Sequence, residues 1–174
     1  TGDFTGEVTE GDVGDPPVTV SGSLSISDID DDDSPSIVDD LFFGTYGNLE
    51  LVSGNWTYTL NQASVQSLDA GDRVFDTFIA LATDGTSQTV TITIVGTDDL
   101  ALVSGITTGS VSEGDIGDAP VTASGSLVIN DVDADDSPSF PNVTSTLGNS
   151  GYGSFVLVNG TWTYTLDQTA VQDL

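Results

Sequence analysis

The sequence predicts an all-β fold, a β-sandwich repeated in tandem with the second copy incomplete. Three observations predict it. The run Gln88–Val95 alternates strictly, with Val90, Ile92 and Ile94 against Thr89, Thr91 and Thr93, the period of a half-buried strand. Short β-prone segments follow one another with turn residues between them, the pattern of a sandwich. Much of the first hundred residues then returns later in the chain.

The return is in register. Gly6-Glu7-Val8-Thr9-Glu10-Gly11-Asp12-Val13-Gly14-Asp15 recurs as Gly109-Ser110-Val111-Ser112-Glu113-Gly114-Asp115-Ile116-Gly117-Asp118, and Gly22-Ser23-Leu24 as Gly125-Ser126-Leu127, each 103 positions downstream. After an insertion of three residues, Trp56-Thr57-Tyr58-Thr59-Leu60 recurs as Trp162-Thr163-Tyr164-Thr165-Leu166, now 106 positions on. The first repeat is expected over 1–103, with a linker at 96–105, and the second over 106–174, stopping before its last two strands.

Taken in order, Gly6–Glu10 reads as a strand, then Ser21–Ser27, where Leu24 and Ile26 alternate with serines. Ile37–Phe43 and Tyr46–Val52 follow, and Ser53-Gly54, matched by the stronger hairpin pair Asn159-Gly160, turns the chain into the Trp56–Leu60 strand. Trp56, Tyr58 and Leu60 share one face there, which favours core packing over sugar stacking for both tryptophans. Residues 61–72 read as a loop with a helical turn, and Arg73–Thr83 as a strand that Asp84-Gly85 turns into Gln88–Val95. Seven strands carry the chain from one pole of a sandwich to the other, so the repeats are expected to string end to end.

Composition excludes whole classes of function. The chain has 28 acidic and 1 basic residues, a formal charge of −27, which repels nucleic acid and anionic membranes. Cysteine and histidine are absent, removing disulfides, thiolate metal sites and the usual zinc and Ser-His chemistry. No apolar run approaches the roughly 18 residues of a membrane span, and no charged-then-apolar leader opens the sequence. The start at Thr1 reads as internal to a longer chain.

The acids are not evenly spread. Asp28-Ile29-Asp30-Asp31-Asp32-Asp33-Ser34-Pro35 recurs as Asp131-Val132-Asp133-Ala134-Asp135-Asp136-Ser137-Pro138. An acidic run is ordinarily a solvated loop. Here the two copies keep Asp at 28/131, 30/133, 32/135 and 33/136 while Asp31 becomes Ala134, and both close on Ser-Pro. Crowded carboxylates favour a positive partner. Alternating Asp residues suit Ca²⁺, which takes six to eight oxygens at about 2.3–2.6 Å. An EF-hand does not fit, because its sixth loop position needs Gly and this chain has Asp33 or Asp136.

Following the strands from pole to pole gathers Glu10, Asp12, Asp15, Asp69 and Asp72 with the linker residues Asp98 and Asp99 and the loop residues Asp131, Asp133, Asp135 and Asp136. Asp28, Asp30, Asp32 and Asp33, with Asp84 nearby, would serve a preceding junction, and Glu113 is the second-copy counterpart of Glu10. All of these except Asp15 are candidate Ca²⁺ ligands.

These residues resemble a known family. Gly-x-Leu, Asp-x-Asp-x-Asp-Asp, Tyr46-Gly47, Gly-x-Trp-Thr-Tyr-Thr-Leu, Leu68-x-x-Gly71-Asp72, Asp76-x-Phe78, Asp84-Gly85 and Val90-Thr-Ile-Thr-Ile-x-Gly-Thr-Asp98-Asp99 look like the VCBS repeat of RTX adhesins exported by type I secretion. The resemblance covers the first copy and the second as far as it runs. It implies Ig-like or cadherin-like sandwiches in tandem, calcium at their junctions, and a non-catalytic extender in cell adhesion and biofilm formation on the bacterial surface, with neighbouring repeats as partners. The family usually reads Gly-Thr-Asn-Asp where this chain has Asp98, which keeps an oxygen ligand and adds charge. The usual Pro soon afterwards is replaced by Leu100-Ala101-Leu102.

Other readings compete. The repeats would contact ligand themselves in a carbohydrate- or surface-binding module, and a neighbouring chain would supply the absent strands in a filament subunit built by strand addition. A halophile's acidic surface would respond to sodium as well as to calcium. Paired carboxylates also serve glycoside hydrolysis, but an active site in every copy of an array is rare. The Thr ladder beside Val90 reads as the solvated face of a sandwich rather than a flat ice-binding face, and the N-x-Thr sequons at Asn55, Asn142 and Asn159 read as incidental.

Overall fold

In the computed structural model, which describes residues 1–12, 14–30 and 34–173, strand accounts for 46% of the chain and helix for 4%, so the fold is all-β. The chain divides into two compact units, one of Thr1–Asp99 with Val132–Asp135, the other of Leu100–Asp131 with Asp136–Leu174. No described helix is long and apolar enough to cross a membrane.

The first unit is a sandwich of two sheets. One contains β1 (Thr5–Thr9), β6 (Arg73–Leu81) and β7 (Ser87–Val95) in the order β1-β7-β6, with β1 parallel to β7. The other contains β2 (Thr19–Ser23), β3 (Asp40–Phe43), β4 (Gly47–Val52) and β5 (Asn55–Leu60) in the order β2-β5-β4-β3, all antiparallel. Their inner faces supply the core: Val8, Phe78, Ala80, Val90, Ile92 and Ile94 from the first sheet, Leu49, Leu51, Trp56, Tyr58 and Leu60 from the second. The alternation of strands β5 and β7 is thus the alternation of core and solvent, with Thr57, Thr59 and Thr89 outside. The outward face of β6, an edge strand, carries the exposed Phe75, Ile79 and Leu81.

Ser53 and Gly54 turn β4 into β5 with φ of 49° and 78°. Two positive φ values in a two-residue hairpin define a type I′ turn, whose twist matches the flanking strands. A Cβ on Gly54 would sit 2.6 Å from the Leu24 carbonyl oxygen, so this position needs glycine.

Several boundaries differ from the sequence reading. The strand expected at Ser21–Ser27 runs from Thr19 to Ser23, leaving Leu24 in an isolated bridge to Gly2. The strand expected from Ile37 begins at Asp40, because Ile37 bridges Ala82 and Val38 donates to the Leu81 carbonyl, so this segment first visits the opposite sheet. The helical turn expected in 61–72 is one 3₁₀ turn, Gln62–Ser64.

The second unit is a five-stranded antiparallel sheet of β8 (Leu102–Gly105), β9 (Thr122–Asn130), β10 (Val143–Leu147), β11 (Gly153–Val158) and β12 (Thr161–Leu166), ordered β10-β11-β12-β9-β8. Residues 102–105, read from sequence as linker, form β8 because the edge of β9 offers unpaired backbone groups and β8 fills them. The turn Asn159-Gly160 repeats the I′ geometry, with φ of 49° and 76°. Among the described residues no second sheet covers Trp162, which with Val111, Ala123, Leu127, Phe155 and Tyr164 lines an open cleft of about 470 Å³.

Candidate functional site: a carboxylate cluster at the end of β1

Glu10 directly follows β1, and its backbone N–H continues the ladder onto the Val95 carbonyl at 3.0 Å. That bond fixes the side chain beside the segment leaving β7. The residue is only 5% exposed. Oε1 accepts a hydrogen bond from the Thr97 backbone N–H at 2.7 Å, whereas Oε2 is buried with no protein partner. A buried carboxylate oxygen without a donor is costly, so its environment asks for one.

The neighbours supply more negative charge instead. Burial raises the Glu10 carboxyl above its ordinary range, the Thr97 N–H opposes this, and the carboxylates of Asp99, Asp133 and Asp72 push it further up. Asp69, half-buried, is raised in the same direction by desolvation and by Asp135, Asp133 and Asp72, against a backbone hydrogen bond from Asp135. Asp133 is 3% exposed and accepts from the Asp99 backbone N–H at 2.8 Å. Asp98 and Asp133 belong to a group of aspartates whose carboxylate oxygens lie within 4.8 Å of one another, a spacing that can hold a metal ion. The chain's one basic side chain, Arg73, is engaged elsewhere, bonded to Glu7 at 2.8 Å on the surface.

Within the first unit, then, the fold brings together Glu10, Asp69, Asp72, Asp98, Asp99, Asp133 and Asp135. Asp12 and Asp15 lie outside on an exposed turn closed by the Asp15 N–H on the Asp12 carbonyl, 3.1 Å. At the other end of the unit Asp28 and Asp84 line one cleft with Ser34, Pro35 and Thr83. Each already serves its own turn, Asp28 accepting from Asp30 N–H at 2.9 Å and Asp84 from Thr86 N–H at 2.8 Å. Asp30 is exposed, and Asp32 and Asp33 lie outside the described residues. In the second unit Glu113 is exposed, Asp131 is half-buried and Asp136 is exposed.

Three groups that shape this region carry no charge and were not singled out from the sequence. Gln62 accepts the Gly11 N–H and Gln66 donates to the Gly11 carbonyl, while Thr97 caps Glu10. A signal for the glutamines existed, since Gln62 and Gln66 recur as Gln168 and Gln172. Asp76, quoted above only within a motif, is 4% exposed and accepts from Thr45 N–H, Tyr46 N–H and the Tyr58 hydroxyl, at 2.9, 3.0 and 2.8 Å. Its three donors satisfy it, which makes it a structural acid holding β6 to the turn before β4. Both tryptophans are buried and donate to backbone carbonyls, Trp56 to Asp3 and Trp162 to Ile106.

No protein-family model matches the chain, and no curated protein matches it.

Proposed function

We propose that this chain is a calcium-stiffened spacer, a non-catalytic tandem segment of a secreted bacterial surface adhesin. The observation that carries the reading is Glu10: a buried carboxylate with one oxygen unpartnered, set among further carboxylates with no basic group to neutralise them. The donors are all hard oxygens, the set that suits Ca²⁺ and gives nothing to thiophilic metals. Glu10, Asp72, Asp98, Asp99 and Asp133 would hold the ion, and Asp69 and Asp135 would tune its field.

The mechanical consequence follows from where those residues sit. Glu10 follows β1, Asp72 precedes β6, Asp98 and Asp99 follow β7, and Asp133 comes from the Val132–Asp135 segment. One ion there cross-links four stretches of chain distant in sequence. Without it their carboxylates repel by about 1 kcal/mol per pair at 4 Å in bulk water, and more near protein. The resemblance to the VCBS repeat supports the extender role and an extracellular location, and the tandem sequence repeat supports an array as its setting.

Thermal melts of the chain in EDTA and across a calcium series, with magnesium and sodium controls, test this. Calcium is expected to add about 2.7 kcal/mol at a hundred times its Kd. An equal response to sodium would leave only an acidic surface, and no response would end the metal reading.

A second reading, completion by a strand hairpin from a neighbouring chain, draws on the open cleft beside Trp162, whose first-unit counterpart Trp56 is covered by β7. Light scattering that finds a monomer at every concentration would remove it. The sugar-binding alternative loses Trp56, which is fully buried, and keeps little of Trp162, which is 7% exposed at the cleft.

A further inference from the structure

We infer that Gln62 and Gln66 are positioning residues for the carboxylate cluster, setting the Glu10 carboxylate in place before any cation arrives; this rests on the cation reading above. The two glutamines grip the backbone one residue beyond Glu10. Gly11 N–H donates to Gln62 Oε1 at 3.2 Å, and Gln66 Nε2 donates to the Gly11 carbonyl at 2.8 Å. Both peptide groups flanking Gly11 are thereby held.

The grip is itself anchored. Gln62 opens the 3₁₀ turn, whose Ser64 and Val65 N–H groups bond back to Asn61 and Gln62 at 2.9 and 3.2 Å. Val65, between the two glutamines, is fully buried in the core. A rigid path therefore runs from the core through Val65 to the amides, to Gly11 and to Glu10. A Cβ on Gly11 would come within 2.9 Å of Asp15 Oδ2 and 3.4 Å of Gln62 Nε2, so a larger residue there would push the Asp15 side chain aside.

The second unit shows that the clamp does not depend on the charge cluster. Gly114 N–H donates to Gln168 Oε1 at 2.9 Å and Gln172 Nε2 to the Gly114 carbonyl at 2.8 Å. The neighbouring Glu113 is exposed there. The same amide geometry forms beside a buried carboxylate and beside a solvated one, so it belongs to the fold and is in place without the cluster. Groups bonded directly to metal ligands are typically worth about 10–100-fold in metal affinity; the glutamines hold the peptides on either side of Gly11 rather than the Glu10 carboxylate, which places them at the lower end.

The second unit also supplies the control. Calorimetric calcium titrations would compare the unaltered chain, Gln62→Ala/Gln66→Ala, and Gln168→Ala/Gln172→Ala, with Glu10→Gln marking which binding step belongs to this cluster. Melting temperatures in EDTA accompany each. Both double variants lose the two bonds to the glycine, the second pair also losing Gln172 Nε2 to the Gln168 carbonyl at 2.8 Å, and both are expected to melt lower in EDTA. Only the first should weaken the Glu10-dependent step, by about tenfold. Unchanged affinity in the first pair, or an equal loss in both, overturns the positioning role. Should the first double variant fail to fold, Gln66→Ala alone, which removes a single bond, is expected to shift affinity in the same direction. A chain that binds no calcium at all overturns the cation reading itself, a result separable from the others.

Discussion

The two units present the same local sequences in different surroundings. Trp56 and Tyr58 lie between two sheets with essentially no exposure, whereas Trp162 and Tyr164 line an open cleft. Glu10 is buried among carboxylates, and Glu113, with the same Gly and Asp after it, is solvated. A residue's chemistry in this chain is therefore set by what covers it, while its backbone conformation is set by its own neighbours, as the shared turns and amide clamps show.

Substitutions at matched positions sharpen that difference. Trp56→Ala is expected to destabilise by about 4 kcal/mol, the range for a buried tryptophan, and Trp162→Ala by about half as much, because its ring borders the cleft. Denaturant unfolding followed by circular dichroism reads both, and equal costs would break the comparison. Asp76→Ala leaves the buried Tyr58 hydroxyl and the part-buried Thr45 and Tyr46 N–H groups without their acceptor and should cost about 3 kcal/mol. Tyr58→Phe removes one of those bonds, about 1.5 kcal/mol, while Tyr164→Phe should stay within about 0.5 kcal/mol, since the Tyr164 hydroxyl has no carboxylate partner among the described residues.

The carboxylates give the same contrast in ligand binding. Glu10→Gln should raise the melting temperature in EDTA and blunt the response to calcium, and Glu113→Gln should do neither. The smallest effect is that of pH. Glu10 and Asp69 have folded values above their ordinary ones, so the unfolded chain ionises first as pH rises. Stability is then lost between the ordinary and the raised values, and the loss is complete above the raised ones. Metal-free protein should accordingly melt higher as pH falls from 7 through that window. Under calcium the trend should flatten or reverse, because protons compete with the ion for the same oxygens.

Much of the sandwich was legible because β5 and β7 alternate cleanly, and a period of two allows only one buried face. The ends of β2 were not, since Leu24 and Ile26 continue the alternation with serines past Ser23, where the ladder stops and Leu24 makes only an isolated bridge to Gly2. Strand β8 was invisible for a stronger reason: all four of its residues are exposed and its existence is owed to the free edge of β9. At the candidate site the acids stood out through their repetition, but their depth did not, as the matched Glu10 and Glu113 differ in burial. The clamp went unread because neutral amides carry no pattern of charge or hydropathy, only their recurrence four residues apart.

The outward apolar face of β6 has a colloidal consequence. Phe75, Ile79 and Leu81 stand exposed on an edge strand, an arrangement that invites edge-to-edge pairing between copies. Within the strands only Glu7, Asp40, Glu50 and Asp76 are acidic, and Asp76 is buried, so protection against pairing comes chiefly from charge carried by the loops. Such repulsion acts over a Debye length, about 10 Å at 0.1 M salt and about 3 Å at 1 M. Concentrated salt would therefore shorten the range at which copies hold one another off until the β6 edges can meet.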